Sequence, residues 1–264
     1  PTILPAVPPV YRRLMDVAKE QGISLQGVRY AVSGAMNLPP ELVAEWEEAS
    51  GGYMVEGYGL TECAPLVSCN PLNDTRRAGS IGIPFPSTDI RVVDPETLQD
   101  VPLGEEGELW VHGPQCFAGY WKREEDTQKT ITADGWLRTG DIVRLDEDYF
   151  IQIVDRIKEV IITGGFNVSP TEVETALKQH DSVADAAVVG IPQASGGEMV
   201  VAAVIPAEGH AVDEHALREH CYARVTRYKV PRKIVAVDDL PRSMLGKILR
   251  RKVREQLIAS GEFD

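Results

Sequence analysis

Along the first quarter of the chain the apolar positions switch between helical and strand spacing. Val10–Gln21 has helical spacing, and Gly22 stops it. Val28–Val32 reads as a strand ended by Ser33-Gly34-Ala35. Pro39–Ser50 reads as a second helix, with prolines at its start and Gly51-Gly52 at its end, and Tyr53–Glu56 as a short strand running into the loop Gly57–Glu62. This alternation predicts an α/β layer, a parallel sheet wrapped by helices.

The middle of the chain reads differently. From about Leu66 to Val154, short β-like runs are separated by Gly, Pro and Asp: Ile90–Val93, Gly107–His112, Ile142–Leu145 and Phe150–Val154, the last two joined by a hairpin connection at Asp146-Glu147-Asp148. Many short strands with turn signals predict a small distorted barrel or sandwich. The last third returns to α/β. Ser169-Pro170-Thr171-Glu172 combines an N-cap, a proline in the first turn and a capping box, so a helix is expected to about His180. Val183–Ile191, Met199–Pro206 and Lys233–Val237 read as strands, Asp213 as the cap of a helix to about Val225, and Lys247–Ala259 as a final helix. A domain boundary is expected near Lys158, because motif-rich segments lie on both sides of it.

Composition narrows the class. With 264 residues, 43% hydrophobic and 25% charged, the chain reads as a globular, soluble protein of one large or two moderate domains. No apolar run approaches the ~18 residues of a membrane span. The chain opens Pro1-Thr2-Ile3-Leu4, with no initiator methionine and no charged-then-apolar leader, and is expected to be a piece of a longer protein. Cys63, Cys69, Cys116 and Cys221 form no CxxC pair and no metal-ligand spacing with histidine, and are expected to be reduced thiols in a cytoplasmic protein. The net charge of −13 argues against general nucleic-acid binding. That charge is uneven: residues 227–254 hold ten Lys/Arg against two Asp, a local +8, which leaves −21 on the rest. Such a basic segment suits a local polyanion such as a nucleotide phosphate. Arg250, Arg251, Lys252 and Arg254 by themselves read as a solvated helix face.

Four segments carry candidate chemistry. In Gly57-Tyr58-Gly59-Leu60-Thr61-Glu62, two glycines let backbone approach a ligand closely. Tyr58 offers a flat face for a purine, Thr61 a hydroxyl for a phosphate, and Glu62 a hard carboxylate oxygen for Mg²⁺. Read alone, this is an ordinary strand-to-loop turn. Asp141 closes Gly135-Trp136-Leu137-Arg138-Thr139-Gly140-Asp141, and a carboxylate accepting two hydrogen bonds suits the paired hydroxyls of a ribose. Lys247 follows Pro241-Arg242-Ser243-Met244-Leu245-Gly246, where Gly246 permits an exposed turn that presents a cation on a long stem. The fourth segment joins Asp155-Arg156-Ile157-Lys158 to Gly164-Gly165-Phe166-Asn167, with a glycine pair able to lie close to a thin ligand.

Together and in this order, the four segments resemble the acyl-adenylate-forming superfamily, which holds acyl-CoA synthetases, luciferases and peptide-synthetase adenylation domains. The resemblance runs over almost the whole chain and implies roles residue by residue. Tyr58 would stack on adenine, with Ser33, Gly34 and Ala35 flanking the base, and Gly57 and Gly59 would let backbone approach the nucleotide. Thr61 would contact the α-phosphate and Glu62 would hold Mg²⁺. Asp141 would bind the ribose, Arg156 would lie near ribose and phosphate, and Ile153 would pack on sugar and base. Lys158 would be a hinge on which a smaller domain rotates between two half-reactions. Gly164, Gly165 and Phe166 would border a pantetheine channel, and Lys247 would stabilise charge developing between carboxylate and α-phosphate. The implied organisation is α/β: the C-terminal part of a large domain over 1–157 (an α/β portion over 1–65, a β-rich subdomain over 66–157), then a mobile lid over 158–264. The family's upstream Gly- and Ser/Thr-rich loop for the β- and γ-phosphates is not in this sequence, so the chain alone is expected to be inactive or nearly so.

Within the family, Glu56-Gly57-Tyr58-Gly59-Leu60-Thr61-Glu62-Cys63-Ala64-Pro65-Leu66 and the wording from Val154 to Glu174 look most like bacterial long-chain fatty acyl-CoA synthetases. The reaction implied joins a fatty acid, ATP and CoA through acyl-AMP. The alternatives are a fatty acyl-AMP ligase that loads a carrier protein, separable by its acceptor, and a non-catalytic nucleotide- or acyl-CoA-binding remnant. A cytoplasmic location, with peripheral contact at the inner membrane face, suits a lipid-handling enzyme, although no amphipathic anchor stands out. Acyl chain length and oligomeric state are not written in these residues.

Overall fold

The computed structural model describes residues 1–193, 196–243 and 246–261. The chain divides into two units, Pro1–Ile153 and Val154–Asp264.

The first unit begins with β1 (Ile3–Ala6), α1 (Pro8–Gln21), β2 (Tyr30–Ser33), α2 (Pro40–Ser50) and β3 (Tyr53–Gly59). Prolines sit in the first turn of both helices, and each helix ends on a glycine in the left-handed region, Gly22 (φ 64°) and Gly51 (φ 70°), whose N–H caps a carbonyl of the last turn. β1, β2 and β3 pair in parallel, with Ile3 opposite Tyr30 and Tyr30 opposite Tyr53. Leu42, Trp46, Tyr11, Ala31 and Met54 form the core between helices and sheet. Tyr11 and Trp46 meet edge to face at 4.8 Å, and the Tyr11 hydroxyl donates to the Leu4 and Val32 carbonyls, so its buried polar end is satisfied.

β4 (Leu66–Cys69) and β5 (Ile83–Pro84) extend this sheet antiparallel beyond β3. A second sheet has the order β6 (Asp89–Val93), β7 (Glu106–His112), β8 (Leu137–Leu145), β9 (Ile151–Arg156), with α3 (Glu124–Thr130) between β7 and β8 in sequence. The α/β class is as expected. The β-rich part is an open four-stranded sheet, and no strand pairing closes it into a barrel among the described residues. β1 and α3 carry no clear sequence signal: β1 is four residues between prolines, and α3 buries no side chain.

Two expectations for this unit need correction. The segment Gly57-Tyr58-Gly59 is not a loop but the end of β3, paired antiparallel with β4 across an irregular register at Tyr58/Gly59. A β-carbon at Gly59 would lie 1.9 Å from the Pro65 carbonyl oxygen, so this glycine is required by a backbone approach inside the sheet. Likewise the strand expected over Ile142–Leu145 starts at Leu137, because the Thr139-Gly140-Asp141 turn signal is absorbed as an irregularity opposite Glu108–Trp110 of β7.

The second unit holds a hairpin of β10 (Ile161–Thr163) and β11 (Phe166–Val168), then α4 (Pro170–Lys178), β12 (Val183–Pro192), β13 (Glu198–Pro206), α5 (Glu214–Tyr222), β14 (Lys233–Ala236) and α6 (Arg250–Ala259). β12 and β13 pair antiparallel, and β13 and β14 parallel. Strand alternation splits the sheet into two apolar faces. Ala186, Val188, Ala202 and Val204 pack with Val173, Leu177 and Leu217 of α4 and α5. Ala187, Val189, Val201 and Ala203 pack with Val253 and Leu257 of α6. The last helix starts at Arg250 rather than Lys247, and α5 ends at Tyr222 rather than Val225. Among the described residues, no helix is long and apolar enough to cross a membrane.

Candidate functional site

In the first unit, the parallel strands β2 and β3 deliver Ser33-Gly34-Ala35 and the Gly57–Glu62 segment to the same end of the sheet. Ser33 ends β2 opposite Glu56 of β3, and a β-carbon at Gly34 would stand 3.5 Å from the Gly57 carbonyl oxygen. The carboxyl ends of parallel strands are where open α/β sheets bind ligands. Ala35 takes a left-handed φ of 64°, which turns the chain away immediately after the strand. The Ser33 hydroxyl is buried and has no hydrogen-bond partner among the described residues, so this end of the sheet keeps an unsatisfied polar atom.

Tyr58 and Asp141 are brought together from 83 positions apart: the Tyr58 hydroxyl donates to Asp141 Oδ2 at 2.5 Å, and both side chains are buried. Asp141 is positioned by its own segment. The Thr139 hydroxyl donates to the Leu109 carbonyl (2.7 Å) and accepts from the Asp141 N–H (3.1 Å), while the Gly140 N–H donates to Glu108 Oε1 (3.0 Å). Gly140 has φ 72°, which explains a glycine directly before the carboxylate. Asp141 therefore lies within a strand irregularity, not in the turn its Thr-Gly-Asp wording suggests.

Thr61 and Glu62 lie in one 3-10 turn, Thr61–Cys63, directly after β3. Thr61 is exposed and Glu62 half-buried. The Tyr120 hydroxyl donates to Glu62 Oε1 at 2.6 Å, and this bond to a carboxylate raises the Tyr120 pKa above the ordinary tyrosine value. Tyr120 was missed in the sequence, where Gly119-Tyr120-Trp121 carries no charge or spacing that points to Glu62. Cys63 is buried with its Sγ 3.3 Å from Cys116 Sγ, and burial together with that neighbour pushes the Cys63 thiol up to about 12, well away from a thiolate. Glu56 is the other residue missed here. Burial raises its pKa to about 8, offset in part by the Leu38 N–H that donates to Oε1 at 3.2 Å.

Ile153, half-exposed on β9, is the last residue of the first unit. In the second unit, Asp155 is buried and Arg156 and Lys158 are exposed; Lys158 lies in the turn after β9. Asp155 ties the strand end to the start of α4: Oδ1 accepts from the Arg156 N–H (2.8 Å), and Oδ2 accepts from the Ser169 hydroxyl (2.5 Å) and the Thr171 N–H (3.1 Å). Ser169 in turn caps α4 by accepting from the Glu172 N–H at 3.3 Å. Gly164 and Gly165 lie in the second unit. They form the two-residue tip of the β10–β11 hairpin, with φ of 58° and 82° and Thr163 opposite Phe166. Two successive positive φ values are the reason for Gly-Gly there. Phe166 is exposed and stacks on Tyr228 at 4.6 Å.

Lys247 lies on the loop before α6; Met244 and Leu245 of its motif lie outside the described residues. Its backbone is pinned to Ser243 on both sides, the Lys247 N–H donating to Ser243 Oγ (3.2 Å) and the Ser243 N–H to the Lys247 carbonyl (2.8 Å). Gly246 has φ 86°, so the turn before Lys247 uses a conformation that other residues resist. The solvated face expected for Arg250, Arg251, Lys252 and Arg254 holds only in part. Arg251 is exposed and pairs with Glu255 along the helix, but Arg254 reaches Glu198 at 3.1 Å, and Arg250 points inward into a cluster of carboxylates.

The candidate metal ligand fits its group in kind. Mg²⁺ is held by one or two carboxylates completed by water and substrate phosphates, and Glu62 supplies one half-exposed carboxylate beside a threonine hydroxyl. Among the described residues no group of three or more His, Cys, Asp or Glu could hold a metal ion by itself.

A family model described as AMP-binding enzyme matches residues 1–121, and one described as AMP-binding enzyme C-terminal domain matches residues 172–247. The chain is 41% identical over 263 residues to a long-chain-fatty-acid–CoA ligase of Yersinia pestis, covering 100% of this chain and 46% of that protein. It is 39% identical over 256 residues to a long-chain-fatty-acid–CoA ligase of Bacillus subtilis, again covering 46% of the relative. The chain thus spans about half the length of the curated relatives it matches. Among solved structures it is similar to ATP-bound MatB from Rhodopseudomonas palustris, with TM-score 0.87 and 34% identity over 97% of this chain and 50% of that one.

Proposed function

The chain belongs to the AMP-binding enzyme family, and from that premise we propose that it is the C-terminal part of an AMP-forming long-chain fatty acid–CoA ligase. The observation that carries this reading is the Tyr58–Asp141 pair at the carboxyl end of β3, followed within three residues by Thr61 and Glu62. It offers an aromatic ring, a ribose-binding carboxylate, a phosphate-binding hydroxyl and a metal-binding carboxylate in one unit. The names of the relatives support the acyl class, and a neighbour solved with ATP supports the nucleotide.

In this reading the fatty acid carboxylate oxygen attacks the α-phosphorus of ATP, forming a P–O bond as pyrophosphate leaves. The CoA sulfur, having lost its proton, then attacks the acyl carbon and AMP departs with the bonding pair. No covalent nucleophile of the protein is needed, so the residues act by orientation and electrostatics. Tyr58 and Asp141, with Ser33, Gly34, Ala35, Gly57, Gly59 and Ile153 of the first unit, would hold the nucleoside, and Arg156 of the second unit takes its role near ribose and phosphate from the resemblance alone. Thr61 faces the α-phosphate. Glu62 would hold Mg²⁺, whose chemistry when bound would be to neutralise phosphate charge. Lys247 stabilises the charge that develops during adenylation, Lys158 is the hinge, and Gly164, Gly165 and Phe166 border the thiol substrate. A cytoplasmic enzyme with peripheral contact at the inner membrane face suits a fatty acid substrate, which can be drawn from the membrane surface.

The test separates the half-reactions in the full-length protein. Lys247→Ala is expected to lower acyl-AMP formation by about a hundredfold or more, the scale on which loss of a transition-state charge partner acts. It should leave thioester formation from supplied acyl-AMP within about twofold, because that step makes no use of Lys247. Equal losses in both steps would remove Lys247 from the role given to it.

A further inference from the structure

Arg250 opens α6 three residues after Lys247 and lies within ion-pair reach of three carboxylates, those of Asp155, Glu159 and Glu174. Its side chain is 16% exposed. Nε and Nη2 grip the Glu174 carboxylate on both oxygens, at 2.8 and 2.6 Å. Nη2 also donates to the Thr171 hydroxyl at 2.8 Å, Nη1 donates to Glu159, and Nη1 lies 3.8 Å from Asp155 Oδ1. Glu174 is itself fixed, accepting from the Val188 N–H of β12 at 2.8 Å. One guanidinium therefore joins four pieces of chain: the end of β9 and the turn carrying Lys158, helix α4, strand β12 through Glu174, and the first residue of α6.

The other stem of the Lys247 loop is anchored independently. Arg242 donates to Asp185 Oδ2 of β12 at 2.5 Å and to the Gly246 carbonyl at 3.1 Å. Arg242 and Ile248 form an antiparallel bridge, and the Leu249 N–H donates to the Pro241 carbonyl at 2.8 Å. The loop is thus closed on itself, and its exit into α6 is held by Arg250. A long lysine stem works as a charge stabiliser only if its backbone origin is fixed to well under an ångström.

We propose that Arg250 is a positioning residue for Lys247: through its fork on Glu174 and its contacts with Thr171, Glu159 and Asp155 it fixes where α6, and hence the lysine loop, leaves the unit. The proposal rests on the reading of Lys247 given above. It also explains why an arginine is needed. A lysine carries the same charge but only a point donor, so it cannot hold both oxygens of Glu174, Glu159 and Thr171 at once.

The experiment uses the full-length protein and the variants R250K, K247A and R251A, with both half-reactions measured in each. Replacement of Arg250 by an uncharged residue would leave three carboxylates without their shared cation, so the lysine variant, which keeps the charge and loses the fork, carries the test. R250K is expected to lower the acyl-AMP-forming rate about tenfold with KM for ATP within about twofold, and to leave acyl transfer from supplied acyl-AMP within about twofold, as misplacement of one catalytic group does. R251A, one residue on and facing solvent, is expected to match wild type in both steps. A loss of the same size in both steps, or a rise in KM without a fall in rate, would mean that Arg250 only supports the fold of its unit. R250K acting like wild type would overturn the proposal as directly. If K247A itself retains wild-type acyl-AMP formation, the reading of Lys247 is wrong and the proposal falls with it, a result distinct from failure of R250K alone.

Discussion

Glu56 shows how far a single side chain can depart from what its letter suggests. It precedes Gly57 in the motif and reads as an ordinary acid, yet it is buried, and burial lifts its pKa from 4.5 to about 8. Between those two values the folded chain keeps a proton that the unfolded chain has lost. Stability should therefore fall as pH rises through that window and level off above it. Glu56→Gln keeps an acceptor for the Leu38 N–H and cannot ionise. The urea midpoint of the variant is expected to change less than that of the wild type between about pH 5 and pH 8; identical slopes would show that Glu56 titrates normally. Arg250 was illegible for a related reason. In the sequence it is one of four basic residues in a run, and only the fold turns it towards Glu174, Glu159 and Asp155 while its neighbour Arg251 stays in solvent. By contrast, Tyr58, Thr61, Glu62, Asp141 and Lys247 were legible as candidates, because each is a reactive side chain set in a short glycine-bearing phrase. The sequence could not reveal which of them meet: the 2.5 Å contact of Tyr58 with Asp141 bridges 83 positions.

At the scale of elements, local signals worked where a residue type has one dominant cause. Ser169 was expected to cap α4, and it accepts from the Glu172 N–H while its hydroxyl donates to Asp155. Ser169→Ala removes both bonds and is expected to cost about 1 to 2 kcal/mol, at the upper end for a lost cap. Thermal unfolding would show this as a lower midpoint, and an unchanged midpoint would mean the cap contributes nothing in this setting. The signals failed where glycine has more than one use. Gly59 was read as a point of approach for a ligand, and its first duty is to clear the Pro65 carbonyl in the β3–β4 pairing. Gly164 and Gly165 were read as loop residues beside a ligand, and they supply the two positive φ values of a hairpin tip. A short antiparallel pair of three-residue strands gives too little alternation to be seen without its turn.

At the scale of the whole molecule, the α/β alternation at both ends and the β-rich middle were readable from periodicity. The openness of the middle sheet was not, because strand count and spacing are the same for an open sheet and a small barrel. The family matches place the chain among AMP-binding enzymes, and it spans about half the length of the relatives it matches, so the ligase activity is a proposal. That activity is therefore best tested in the full-length protein by ATP–pyrophosphate exchange, with short, medium and long fatty acids, aryl acids and amino acids offered in turn. Exchange is expected to peak with long fatty acids. Exchange with aryl or amino acids alone would contradict the fatty acid assignment while keeping the adenylating chemistry, and no exchange with any acid would contradict the account at its centre.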